Sequence, residues 1–198
     1  ICLAYAPKFL ERGLETPIHL AFSHDEEVGC VGVRSLVTKL ADEIRPKPMM
    51  CIVGEPTSMQ VVIGHKGKLS YKCIVRGLEA HSSLAPQGVN AVEYAAELIA
   101  YLKGMARQIQ KDGPFDDVYD ITHTTVHTGT VHGGTALNIV PKDCSFEFEF
   151  RCIAGHDGHE LFEKVKRHAH EVLEPEMKAI DPSAGFKFEE LSAIEGLD

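Results

Sequence analysis

The sequence lacks several features that would each point to a partner or a location. It has no basic tract: Lys plus Arg number 20 against 29 Asp plus Glu, a formal charge of −9. No electrostatic footprint for a nucleic-acid backbone results, and no nucleic acid is expected as a partner. No apolar run reaches the length of a membrane span, so no membrane partner is expected either. None of the six cysteines stands in a Cys-x-x-Cys pair. Cys51, Cys73 and Cys144 fall in apparent strands, where a reduced thiol behaves as a small hydrophobe, and a reducing, cytoplasmic setting is the expectation. There is no internal repeat and no low-complexity tract. No Met and no cleavable signal precede Ile1, and 2–6 reads as the tail of a helix ended by Pro7, so the chain reads as an internal piece of a longer protein.

What is present begins with an acidic knot, His24-Asp25-Glu26-Glu27-Val28-Gly29-Cys30. The apolar run 18–22 before it reads as a strand buried on both faces. Val33, Leu36, Val37 and Leu40 after it keep the spacing of a helix's apolar stripe. A second apolar run, 49–53, ends in Gly54-Glu55-Pro56-Thr57. Strand, crossover helix and strand make a βαβ unit whose parallel strands end at one edge, so Glu26, Glu27 and Glu55 are expected to converge there. Clustered carboxylates repel, and a divalent cation neutralises them, one glutamate ligating while its neighbour takes a proton from water as general base. The alternative is a solvated acidic loop in which Asp25 or Glu26 caps a helix near Val31.

Beyond Gly64-His65-Lys66-Gly67 the pattern changes, and a domain boundary is placed near Gly67, giving regions 1–66 and 67–195. Leu69, Tyr71, Cys73 and Val75 alternate with polar residues as in a strand with one buried face. Val92, Ala95, Ala96, Ile99, Leu102 and Met105 keep helical spacing, with Asn90 as N-cap. Residues 118–129 are rich in Thr and Val, and Cys144, Phe146, Phe148 and Phe150 alternate with charged or polar neighbours. A helix over 161–172, ended before Pro175, and a strand opening at Phe186 complete the order βαββαβ, the ferredoxin-like pattern of an antiparallel sheet with both helices on one face. The fold class is α/β: part of a parallel-sheet domain, then a ferredoxin-like α+β domain. His123, His127, His156, His159, His168 and His170 read as structural or solvated.

Four spaced motifs carry a resemblance: the acidic knot, Gly54-Glu55-Pro56-Thr57-Ser58, Gly77-Leu78-Glu79-Ala80-His81-Ser82-Ser83, and Gly133-Gly134-Thr135-Ala136-Leu137-Asn138-Ile139-Val140-Pro141. Together they resemble the dimetal amidohydrolases that include succinyl-diaminopimelate desuccinylase, aminoacylase and glutamate carboxypeptidase, and within them the acetylornithine deacetylase branch. The resemblance implies two zincs, with cobalt as a substitute. It makes Glu26 the general base, Glu27 a ligand of one zinc and Glu55 of the other. His81 would reach across a homodimer formed through 67–195 and stabilise the oxyanion, while Asn138 and Arg151 bind polar groups of an N-acyl amino acid. The reaction implied is hydrolysis of N-acetyl-L-ornithine to ornithine and acetate, a step of arginine biosynthesis. A carboxypeptidase, another acyl-amino-acid hydrolase and a noncatalytic dimerisation module are the alternatives. Without the resemblance, Asn138 reads as a turn residue, Arg151 as a cross-strand partner for nearby glutamates, and His81 as a loop histidine. The family's His-x-Asp motif, bridging aspartate and final histidine are absent from this sequence, so the piece alone is expected to bind zinc poorly.

Overall fold

The computed structural model describes residues 1–27 and 29–197, so Val28 of the acidic knot lies outside the described residues. The chain forms two compact units, Ile1–Met59 and Gln60–Asp198.

The second unit is built on β1 (Gly67–Arg76), β3 (Thr125–Gly133), β5 (Asp143–Cys152) and β6 (Gly185–Ile194), ordered β3-β5-β1-β6 with every pairing antiparallel. That is the sheet order of the ferredoxin-like fold. A two-stranded ladder, β2 (Ala80–His81) with β4 (Ile139–Val140), stands beside it. Strand alternation sets the layers: Leu69, Tyr71, Cys73 and Val75 of β1 and Cys144, Phe146, Phe148 and Phe150 of β5 are buried in one core. Over them lie α3 (Ala91–Asp112) and α4 (Gly158–Arg167), contributing Ala95, Leu98, Leu102, Leu161 and Val165. Phe162 of α4 stacks on Tyr71 with ring centroids 3.7 Å apart. The Tyr71 hydroxyl is buried without a hydrogen-bond partner, and burial pushes its pKa up to about 12. Asn90 caps α3 as its sequence position predicts, its Oδ1 accepting from the backbone N–H groups of Val92 and Glu93 at 3.0 and 3.2 Å.

Three element boundaries differ from the pattern. Thr125 begins β3, not Val118: the β5 register opposite it starts at Thr125↔Arg151, and upstream His123 makes an isolated bridge to Phe115. The helix beginning at α4 does not stop before Pro175. A wide π turn over His168–Leu173 leads into α5 (Glu174–Ile180), whose first turn holds Pro175 where a missing N–H costs nothing. Residues 60–66 group with the second unit. His65 and Leu197 exchange backbone hydrogen bonds of 2.7 and 3.0 Å, and Lys66 Nζ donates to the carbonyls of Ile121 and His123.

The first unit carries α1 (Cys2–Glu11) and α2 (Arg34–Glu43). Pro7 lies inside α1 rather than ending it, and α2 forms where its apolar stripe predicts. The strands expected over 18–22 and 49–53 do not form; among the described residues this unit has none. A strand apolar on both faces is stable only inside a sheet covered by helices on both sides, and an isolated two-stranded pairing is marginal. Ile52 is instead 88% exposed, while Ile18 and Leu20 line an apolar cleft of about 460 Å³ with Tyr5, Phe9 and Leu14 of this unit.

A buried carboxylate ties the π turn to the sheet. Glu174 Oε1 accepts from the Phe186 backbone N–H at 2.9 Å and from His170 Nδ1 at 2.8 Å, and Oε2 accepts from Lys178 Nζ. Gly185 lets it approach, since a Cβ there would stand 2.8 Å from Oε1. Burial pushes the Glu174 pKa up, but the hydrogen bonds from Lys178, Phe186 and His170 together hold it below the usual glutamate value. A depressed carboxylate pKa contributes stability above the unfolded value of about 4.3, and that stability is lost as pH falls through the folded value. Glu174→Ala leaves the Phe186 N–H unpaired. Because Lys178 and His170 are partly solvated, we expect a loss of about 2–3 kcal/mol in urea unfolding at pH 7. The gap between wild type and variant should narrow below pH 4.

Candidate functional site

The backbone around His81 is set by close approaches that only small residues allow. A Cβ on Gly77 would stand 2.0 Å from the Val89 carbonyl oxygen, so Leu78 can pair with Val89 through 3.0 Å hydrogen bonds in both directions. The chain then runs extended through β2, and the Ser82 N–H donates 2.9 Å to the Asn138 carbonyl. The ladder sets His81 directly opposite Ile139, so His81 and Asn138 belong to one short ladder, and both are exposed. Leu137 beside them is fully solvent-exposed.

The imidazole is held in one tautomer. Ser83 donates its backbone N–H to His81 Nδ1 at 3.2 Å, and its hydroxyl lies 2.8 Å from the same nitrogen. Nδ1 is therefore an acceptor, which puts the proton of the neutral ring on Nε2 as a donor facing away from the turn. A group of that kind suits stabilisation of a developing oxyanion. Ser83 is a residue that reading the sequence missed; the Ala-His-Ser-Ser run contained it, as a short-range side-chain turn partner.

Arg151 lies elsewhere. It sits near the end of β5, opposite Lys68 and Thr125, and its Nε donates 3.0 Å to Glu149 Oε1. Its glutamate partner is thus two residues back on the same strand, not across the ladder. From Asp143, the end of β5 near His81, to Arg151 is about 27 Å of strand at the usual rise per residue. One copy therefore brings His81 and Asn138 together and leaves Arg151 remote from them.

Glu26, Glu27 and Glu55 are exposed in the first unit. Without the two strands, no parallel edge gathers them. Neither Asp25 nor Glu26 caps a helix: the turn over Val31–Val33 starts at Cys30 and α2 at Val33, each without a side-chain cap bond. Asp25 pairs with His24 at 2.9 Å instead. Among the described residues no three of His, Cys, Asp and Glu are grouped to hold an ion. Glu27 and Glu55 thus stand apart, and the described residues do not make a two-metal site among themselves.

The remaining histidines and cysteines serve the scaffold. His156 Nδ1 lies 2.8 Å from the hydroxyl of Thr124, which is fully buried, and His168 stacks on Tyr101 at 3.9 Å. Burial lowers the pKa of both histidines. Cys73, Cys144 and Cys152 are free and buried, and burial pushes their thiols up, Cys152 to about 11. Cys51 is exposed, outside any strand. Among the described residues no helix is long and apolar enough to cross a membrane.

Comparisons with known proteins agree with this architecture. The chain is 31% identical over 154 residues to the acetylornithine deacetylase of Edwardsiella ictaluri (strain 93-146), covering 78% of this chain and 39% of that protein. It is 32% identical over 154 residues to the acetylornithine deacetylase of Myxococcus xanthus, with the same coverage of each. The chain thus spans about two fifths of the length of these relatives. A putative aminohydrolase from methicillin resistant Staphylococcus aureus shares the fold at a TM-score of 0.51 and 15% identity, over 67% of this chain and 32% of that one. Residues 63–177 match the peptidase dimerisation domain of the M20 family, and with its βαββαβ order and antiparallel sheet in the ferredoxin-like arrangement, the chain belongs to that family.

Proposed function

We propose that the full-length protein containing this chain is a metal-dependent amidohydrolase that removes the acyl group from an N-acyl amino acid, with N-acetyl-L-ornithine the favoured substrate. The observation that carries this reading is His81: its ring is locked by Ser83 with Nε2 as donor, and it lies exposed on the same short ladder that leads from Asn138. That pairing offers an N–H to an oxyanion and an amide to a polar substrate group. The relatives named acetylornithine deacetylase support the substrate. Arginine biosynthesis is the pathway that substrate implies.

The dimerisation-domain match and the spacing of the candidate residues support a homodimer through the second unit. About 27 Å of strand separates the His81 end of β5 from Arg151, farther than one N-acyl amino acid reaches. Arg151 and the His81–Asn138 pair can therefore meet one substrate only if they come from two copies. In this reading one copy supplies His81 and Asn138, the other supplies Arg151 to the substrate carboxylate, and Glu26 takes the proton of the attacking water. Zinc is the metal proposed for the full-length protein, with Glu27 and Glu55 of this chain as a donor each. The regions 1–66 and 67–195 are read as the catalytic and dimerising parts. Six free cysteines favour a reducing cytoplasm.

In the full-length protein, Glu26→Gln should lower kcat by about 100- to 10,000-fold while metal content stays near wild type. Near-normal turnover would remove Glu26 from the general-base role. His81→Ala should also be nearly inactive, and mixing it with Glu26→Gln should restore activity through hybrid dimers. Hybrids shown to form by mass spectrometry but without turnover would contradict action across the interface.

A further inference from the structure

The sheet's open face, opposite its helices, sets two cations against each other. Lys68 and Arg151 are directly paired across β1 and β5, and they alternate with the core residues Leu69 and Phe150. Like charges facing each other across a ladder destabilise it. Their other neighbours in register, Ile194 beside Lys68 and Thr125 beside Arg151, carry no charge to offset this. The nearest compensation is Glu149, whose Oε1 takes the Arg151 Nε–H at 3.0 Å while its Oε2 accepts from the Ser70 hydroxyl at 3.4 Å. Ser70 is almost fully buried, so Glu149 is braced from behind. Among the described residues the terminal nitrogens of Arg151 make no other ion pair, and Lys68 makes none.

We propose that Lys68 and Arg151 form a two-cation cradle for the carboxylate of the substrate, with Glu149 as a positioning residue that holds the guanidinium by Nε and turns its other edge outward. The proposal rests on Arg151 being the substrate's carboxylate ligand and adds the second cation and the brace. The chemistry is complementary: a carboxylate takes two parallel hydrogen bonds from the Nη edge of arginine, and a lysine ammonium adds a point charge that needs no fixed geometry. A bound carboxylate also removes the repulsion between the two side chains.

The test uses the metal-loaded full-length protein with N-acetyl-L-ornithine and with its primary carboxamide, which keeps the shape and loses the charge. Lys68→Met should raise KM for the acid about tenfold, the scale of one charged hydrogen bond, leave kcat nearly unchanged, and leave the carboxamide's constants unchanged. Lys68→Arg should restore the acid's KM. Glu149→Gln should raise the same KM by a smaller factor, and Arg151→Met should abolish the preference for acid over amide. Loss of that preference in Arg151→Met, with the preference in Lys68→Met equal to that of the wild type, would overturn the cradle and leave Arg151 in place. Retention of the preference in Arg151→Met would overturn both. No turnover of either compound by the wild-type protein would instead refute the deacylase reading.

Discussion

The ten-residue antiparallel pairing of β1 with β5 is the contact on which the rest of the second unit depends. Because strand side chains alternate, its register alone decides that Tyr71, Phe146, Phe148 and Phe150 face the helices and that Lys68, Glu149 and Arg151 face away. A slip by one residue would place the charged set in the core and the aromatic set in water. The stacked Tyr71–Phe162 pair and the Glu174 brace then hold the helices onto the face that this register has made apolar.

The same ladder separates the two sets of candidate residues. Its Arg76–Asp143 end leads directly into β2 and β4, where His81 and Asn138 meet, and its Gly67–Cys152 end carries Lys68 and Arg151. A rigid strand pairing keeps these ends apart by about 27 Å. A domain organised in this way holds His81 at one end and Arg151 at the other. Two copies can unite groups that one cannot.

Much of this was legible in the residues. The aromatic alternation of 144–150 gave β5, the stripe from Val92 to Met105 gave α3, and Asn90 gave its cap, because each depends on local spacing that burial then rewards. What depends on distant partners was not legible. Thr125 rather than Val118 opens β3 because the partner strand's length decides where pairing can begin. Pro175 is accommodated by a π turn that no propensity announces. The runs 18–22 and 49–53 have the composition of interior strands, yet composition cannot supply the neighbouring strands and covering helices that such strands require. In the site, the Ala-His-Ser-Ser and Leu-Asn-Ile-Val motifs marked the candidate residues. Their juxtaposition came only from the β2–β4 ladder, and the bond from Arg151 to Glu149 only from the side-chain geometry.

Under the proposed function, Glu26, Glu27 and Glu55 serve a chemistry that needs donors which the described residues do not bring together. Metal content and hydrolysis of N-acetyl-L-ornithine, measured side by side on this 198-residue chain and on the full-length protein, separate the alternatives. Metal binding and turnover in the full-length protein alone are the predicted result. Tight metal binding or turnover by this chain alone would contradict it, and so would a full-length protein that binds no metal and leaves the substrate intact.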